Sequence, residues 1–233
     1  MAQAGLHAAA GYQLRRVFPY EERLFPALIF GAMLPDLDVI VVAFASLFYS
    51  ISQAEEIFHR TFSHSFFTLI FVYLVFAILS EIYKKPVLKS VGKGISLGML
   101  SHSLIDTLIW FRQVDLLWPL PLQPLNLWHL WEAPPLVVHI LLIFEFFCFR
   151  WYAWFLITQH LKVPGTQSWF VKYLNIWKNL ETYIFLFFII MLIWNTSFFY
   201  ILFGIAYIPS LIMALYSTYV SRDALEFMPE PVN

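Results

Sequence analysis

Charged side chains are scarce in this chain. Only 12% of its 233 residues are Asp, Glu, Lys or Arg, against about 25% in soluble domains, which leaves too little polar surface for a soluble fold of this size. Cysteine is rarer still: Cys148 stands alone inside an apolar run, so no intrachain disulfide forms and the residue reads as packing. Excess positive charge is missing too. With 14 basic and 15 acidic residues the formal net charge is −1, and no basic patch invites the phosphates of a nucleic acid. The first residues lack the charged n-region and cleavage site of a secretory signal, so the N-terminus reads as mature protein. Repeats, low-complexity tracts and a soluble domain are likewise absent from the sequence.

What is present is apolar. Hydrophobic residues make up 61% of the chain, and the pattern predicts an all-α polytopic membrane bundle, a single integral membrane domain over 1–233. We expect about 5–6 membrane segments behind a short N-terminal helix. Residues 2–14 form that Ala-rich helix, which carries His7 and ends at Arg15 and Arg16. Residues 24–50 are long enough to cross a bilayer, which takes about 20 residues, yet Pro35, Asp36 and Asp38 lie at the middle and predict a broken span. A polar loop from Ser52 to Ser65 precedes Phe66–Tyr83, a span of about 27 Å at ~1.5 Å per residue. Gly94–Phe111 is the next apolar segment, and the Trp-rich loop 112–132, with His129 and Glu132, suits an interface. Pro134–His160 follows; Tyr183–Val220 is too long for one crossing and is expected to break at Asn195-Thr196-Ser197.

Loop charges orient this topology. With residues 15–23, 84–93, 161–178 and the C-terminus on one side, that side holds every Lys and Arg except Arg60, Arg112 and the intra-span Arg150. The positive-inside rule then makes that side cytoplasmic and turns the loop at residues 59–65 outward.

Against this background a few metal-capable groups stand out: Asp36 and Asp38, the stretch His59-Arg60-Thr61-Phe62-Ser63-His64-Ser65, and His102 with Asp106. Ionisable groups in a membrane segment mark a functional site by default. His102 and Asp106 are i and i+4, neighbours on one helix face. Asp36 and Asp38 are i and i+2 and would diverge on a helix, so an irregular backbone after Pro35 is needed to aim them at one centre. If residues 2–14 and 24–34 form a hairpin, His7 joins the same end. One polyvalent metal site follows, with His7, Asp36, Asp38, His59, His64, His102 and Asp106 as ligands. Ser63, Ser65, Ser101 and Ser103 supply supporting hydroxyls, or else pack helices. The bland alternative is polar packing between helices, with Asp36 and Asp38 capping a helix break. His139 and His160 read as structural, and Glu145 and Arg150 as pairing with neighbouring helices.

Three motifs in this order, Gly31 with Leu34-Pro35-Asp36-Leu37-Asp38, then His59-Arg60 with Ser63-His64-Ser65, then Ser101-His102 with Asp106 and Leu117-Trp118-Pro119, resemble the YdjM-type family. That family is described as inner-membrane metal-dependent hydrolases, some members carrying a LexA-binding label. The likeness covers roughly residues 5–120; Thr61 stands where the family usually has Gly, and Ser63 where it has Thr. The resemblance implies a hydrolase in the bacterial inner membrane, with a divalent metal, zinc by donor type, as one or two ions. Membrane lipids are the expected partners, and depth in the membrane points to a lipid or lipid-linked phosphoester as substrate. Asp36, Asp38 and Arg60 are the expected catalytic residues, a carboxylate bridging metals and Arg60 holding phosphate. The alternative is a non-catalytic membrane protein that binds or moves a metal, or docks a partner.

Overall fold

The interruption at Pro35 organises the architecture. A computed structural model of the protein describes residues 4–14, 17–109, 113–127, 133–163, 168–194 and 198–226. Helix α1 (Ala4–Leu14) and α2 (Leu24–Met33) form an antiparallel hairpin, and a 3-10 turn at Leu34–Leu37 separates α2 from α3 (Asp38–Ala45). Pro35 has no backbone donor for the preceding turn, and the tighter turn buries both Pro35 and Asp36. Helix α4 (Ile51–Phe58) lies where the sequence predicts a loop. It is started by a reciprocal capping box between Ser50 and Gln53, a signal readable as Ser-x-x-Gln. A second 3-10 turn, Phe62–His64, leads into α5 (Phe66–Tyr83), whose first turn is capped by Ser65.

Helix α6 (Pro86–Ile109) starts earlier than expected and takes Lys89 and Lys93 out of the loop. It packs between α2 and α5. Close approach requires glycine at Gly31 and Gly98: a Cβ on Gly31 would overlap the Ile95 backbone, and one on Gly98 the Leu28 carbonyl. Small residues let backbones touch inside membranes, where hydrophobicity alone does not drive helices together.

Helices α7 (Pro135–His160), α8 (Ser168–Trp194) and α9 (Phe199–Val220) complete the bundle, followed by a short α10 (Arg222–Glu226). The stretch expected as a loop through residue 178 is helical from Ser168, so Lys172 and Lys178 ride on α8. Among the described residues, five helical stretches are long and apolar enough to cross a membrane, the α2–α3 unit and α5, α7, α8 and α9. Helix α6, the expected third span, falls outside that set because Ser, Gly, Lys and His dilute it. The expected break at residues 195–197, and the positions Arg15, Arg16, Arg112, His129 and Glu132, lie outside the described residues.

The main apolar core lies where α1 and α2 meet α7, α8 and α9, with Phe146, Phe149, Trp177, Phe188 and Tyr207 fully covered. At one end of the bundle, Arg23 binds Asp223 and Glu226, and Lys93 binds Glu21. The chain thus gathers its 21–23 turn, the start of α6 and α10 at one end. The centre described next lies away from that charged end, along α2 and α6.

Candidate metal centre

Four elements converge on one buried point. Helix α1 contributes His7, the 3-10 turn Asp36, the turn before α5 His64, and α6 both His102 and Asp106; all five are 0% exposed. His102 Nδ1 lies 2.7 Å from the Ala32 carbonyl. A carbonyl can only accept, so Nδ1 carries the proton and Nε2 keeps its lone pair. The His64 ring reaches the same state by a relay. Ser63 donates its hydroxyl proton to Asp38 Oδ2 at 2.7 Å, so its oxygen can only accept from His64 Nδ1 at 2.9 Å. His64 Nε2 and His102 Nε2 then face each other at 3.1 Å. Two bare lone pairs at that distance require a positive charge between them, either a proton on one ring or a metal ion.

The surroundings favour a cation. Asp36 Oδ1 lies 3.4 Å from His102 Nε2 and has no hydrogen-bond partner. Asp106 Oδ2 lies 3.5 Å from His64 Nε2 and 3.8 Å from His102 Nε2. Zinc bonds of about 2.1 Å in a tetrahedron put donors about 3.4 Å apart, and these spacings bracket that value. Two overlapping metal-capable triads are present, His7 with His102 and Asp106, and Asp36 with His64 and His102. Buried His and Asp groups here can therefore hold a metal ion.

Asp106 is the junction of the centre. Its Oδ1 is 3.0 Å from His7 Nε2, and its Oδ2 accepts from Arg60 Nε at 3.0 Å. His7 also stacks on His102, ring centroids 3.7 Å apart. Arg60 takes a left-handed backbone with φ 60°, uncommon outside glycine and frequent at functional sites. That conformation sends its amide to Asp38 Oδ2 at 3.1 Å while its side chain reaches Asp106.

Asp38 and His59 lie one layer out. Asp38 is engaged by His59 Nδ1 at 2.7 Å, by the Arg60 amide and by Ser63, and belongs to neither triad. It positions the His-bearing turn. Burial pushes the His59 imidazole down to about 4 despite the pull of Asp38, so the ring is neutral at physiological pH and its buried Nε2 has no partner. Among the serines, Ser103 donates to the His64 carbonyl at 3.0 Å and Ser65 to the Trp118 carbonyl at 2.5 Å. Ser101 turns back to Gly98 of its own helix and does not touch the centre.

The stretch 113–127 straps the His turn in place, because the Asp115 amide bonds the Arg60 carbonyl and the Phe66 amide the Leu116 carbonyl. A further contact comes from the far half of the chain: Tyr207 on α9 donates to Asp36 Oδ2 at 3.3 Å. Its hydroxyl is a polar tip in an apolar helix, and nothing in the local sequence points to it.

The YdjM inner membrane protein family model matches residues 2–218. The chain belongs to the YdjM family. The match extends well past the motif-bearing stretch, so α7, α8 and most of α9, with Tyr207, fall within the YdjM region, and the family and the five apolar helices together mark an integral membrane protein. No curated protein and no solved structure matches the chain. Away from the centre, Glu145 accepts from the Gly5 amide of α1 and Arg150 donates to Thr182 of α8. His139 packs on Phe199, and His160 bonds Ser221.

Proposed function

We propose that this chain is a membrane-embedded, metal-dependent hydrolase acting on a lipid or lipid-linked phosphoester near the outer leaflet. The observation that supports it most is the pair of bare imidazole nitrogens 3.1 Å apart among carboxylates. His64, His102 and Asp36 would hold the ion, and the donor types suit zinc. His102 offers one lone pair, because its other nitrogen is spent on Ala32; the two triads therefore describe one ion. Such an ion, when bound, polarises a phosphoryl oxygen and acidifies water. The chain does the rest. Asp106, fixed by His7 and Arg60, stands ready to accept a proton, and Arg60 brings positive charge to the phosphoester oxygens. Asp38 holds the turn that carries His64. The outward orientation rests on loop charge, and labelling of Ser52→Cys by a membrane-impermeant thiol reagent on intact cells tests it; labelling only after lysis reverses it.

One observation favours a second reading, a non-catalytic metal-binding or docking protein. Asp106 Oδ2 lies within 3.8 Å of both imidazole nitrogens, near enough to close a four-donor shell of the structural kind. Asp106→Asn separates the two. Purified wild type should carry one transition metal per chain and change the profile of an incubated lipid extract. His64→Ala should lose both properties, whereas Asp106→Asn should keep the metal and lose the turnover. Loss of metal in Asp106→Asn, with no lipid turnover by wild type, supports the second reading. Absence of stoichiometric metal in the supplemented wild type sinks both.

A further inference from the structure

A groove of about 770 Å³ runs between α3–α4 and α9, beside the metal centre. Its walls are Val39, Val42 and Ala43 on one side and Ile201, Gly204 and Ile208 on the other. Ala43, Ile201, Ile205 and Pro209 at its lips are exposed, so the groove opens sideways where a bilayer would lie. At one end it becomes polar, with Ser52, Glu55 and His59. Two of its lining side chains touch the carboxylates of the site: His59 bonds Asp38 at 2.7 Å, and Tyr207 bonds Asp36 at 3.3 Å. The groove is therefore apolar along its length, open to lipid, and joined to the centre through its own wall.

We infer that this groove binds one hydrocarbon chain of the substrate lipid and lays the phosphoester head at its polar end, where His59 and Tyr207 stand between it and the buried carboxylates of the centre. The inference rests on the hydrolase reading for what happens to the head; the chain site itself does not depend on turnover. An amphiphile fits because both chemistries are present in register, apolar walls followed by a polar end of Ser52, Glu55 and His59, one hydrogen bond away from the carboxylates of the centre. A soluble substrate would leave the apolar walls wet, and a pure hydrocarbon would leave the polar end unmatched. Gly204 is one of the groove's lining residues, and a Cβ built there meets nothing within 4 Å, so space is open at this point of the wall. Chain size and branching are accordingly selected at Gly204 and, across from it, Ala43.

The full chain in nanodiscs of phosphatidylethanolamine and phosphatidylglycerol, doped with a phosphatidylglycerol bearing a diazirine on one acyl chain, tests this. Crosslinks read by mass spectrometry should concentrate on peptides of α3 and α9 over the lipid-facing α5. Gly204→Trp and Ala43→Trp, on opposite walls, should each lower that labelling by about tenfold, with metal content and thermal midpoint unchanged; Gly204→Ala should behave as wild type. Labelling spread evenly over α5 and α9, or untouched by both Trp variants, overturns the groove. Groove labelling without lipid turnover leaves the chain site standing and removes the hydrolase. Turnover at the wild-type rate in both Trp variants removes the groove and leaves the hydrolase.

Discussion

The two halves of the molecule fill a similar interior with opposite materials. Helices α1 to α6 close around His7, His64, His102, Asp36, Asp38, Asp106 and Arg60, all nearly or fully inaccessible. Helices α7 to α9 close mainly around stacked rings, Phe146 on Phe188 with centroids 5.1 Å apart and Phe203 on Tyr207 at 5.5 Å. Two buried acids lie among them, Glu145 accepting from the Gly5 amide and Glu181 from the Trp177 indole. Lipid tails are as apolar as leucine, so burying an apolar side chain in a bilayer gains little over leaving it in lipid. Ring stacking and close packing must hold the second half. The first half is held by backbone contact at glycines and by charged hydrogen bonds, each strong because little water competes. Such a half is intolerant of change, and the same intolerance fixes donors in place for a cation.

The contrast can be broken at its stiffest point. Gly98→Leu pushes a side chain into the Leu28 carbonyl of α2 and should cost more than about 3 kcal/mol. The expected outcome is loss of the monodisperse peak in detergent; a normally eluting, metal-loaded Gly98→Leu protein would show that α2 and α6 do not approach as described. Next in size is Asp38→Ala, which strips His59, Ser63 and the Arg60 amide of their acceptor. Removing one member of a buried charged network costs about 3–5 kcal/mol. Faster amide exchange confined to residues 59–65 and lower metal occupancy are expected, and unchanged exchange there would remove Asp38 from its positioning role.

The aromatic half should yield more gently. Phe188→Leu loses contacts with Phe146, Phe199 and Phe203, a change of about 1 kcal/mol visible as a small drop in thermal midpoint with full metal content. A metal loss matching that of Asp38→Ala would erase the distinction between the halves. Smallest of all is Arg23→Ala at the charged end, where Arg23 meets the exposed Asp223. Its cost should stay within about 1 kcal/mol and shrink as salt rises, checked by melting curves at two ionic strengths.

The features that were legible in the sequence are local ones. His102 and Asp106 are one turn apart on a continuous helix, and Pro35 shortens the turn that buries Asp36; both follow from residues within a few positions. His7 required only a hairpin, whose turn Pro19 and the nearby charges announce. Tyr207 was illegible, because one tyrosine among 12 acquires its role from a partner 171 positions away. The different bonding of Asp36 and Asp38 was equally hidden. Both are carboxylates beside one proline, and only the tertiary contacts give Asp38 three donors while leaving Asp36 Oδ1 without one. Helix α8 begins at Ser168, before Lys172 and Lys178, because long basic side chains at a helix end can reach the interface without leaving the helix.

The separation of His7 from Asp106 by 99 positions also has a meaning in time. A chain made from its N-terminus delivers α1 to the bilayer long before α6 exists. Helix α1 therefore waits with an imidazole whose partner Asp106 is not yet made, while the strap at 113–127 that holds the His turn arrives later still. Assembly of this centre is a late event in biogenesis, and pulse-chase of a chain ended after Tyr83 should show rapid degradation, whereas one ended after Leu127 should persist longer.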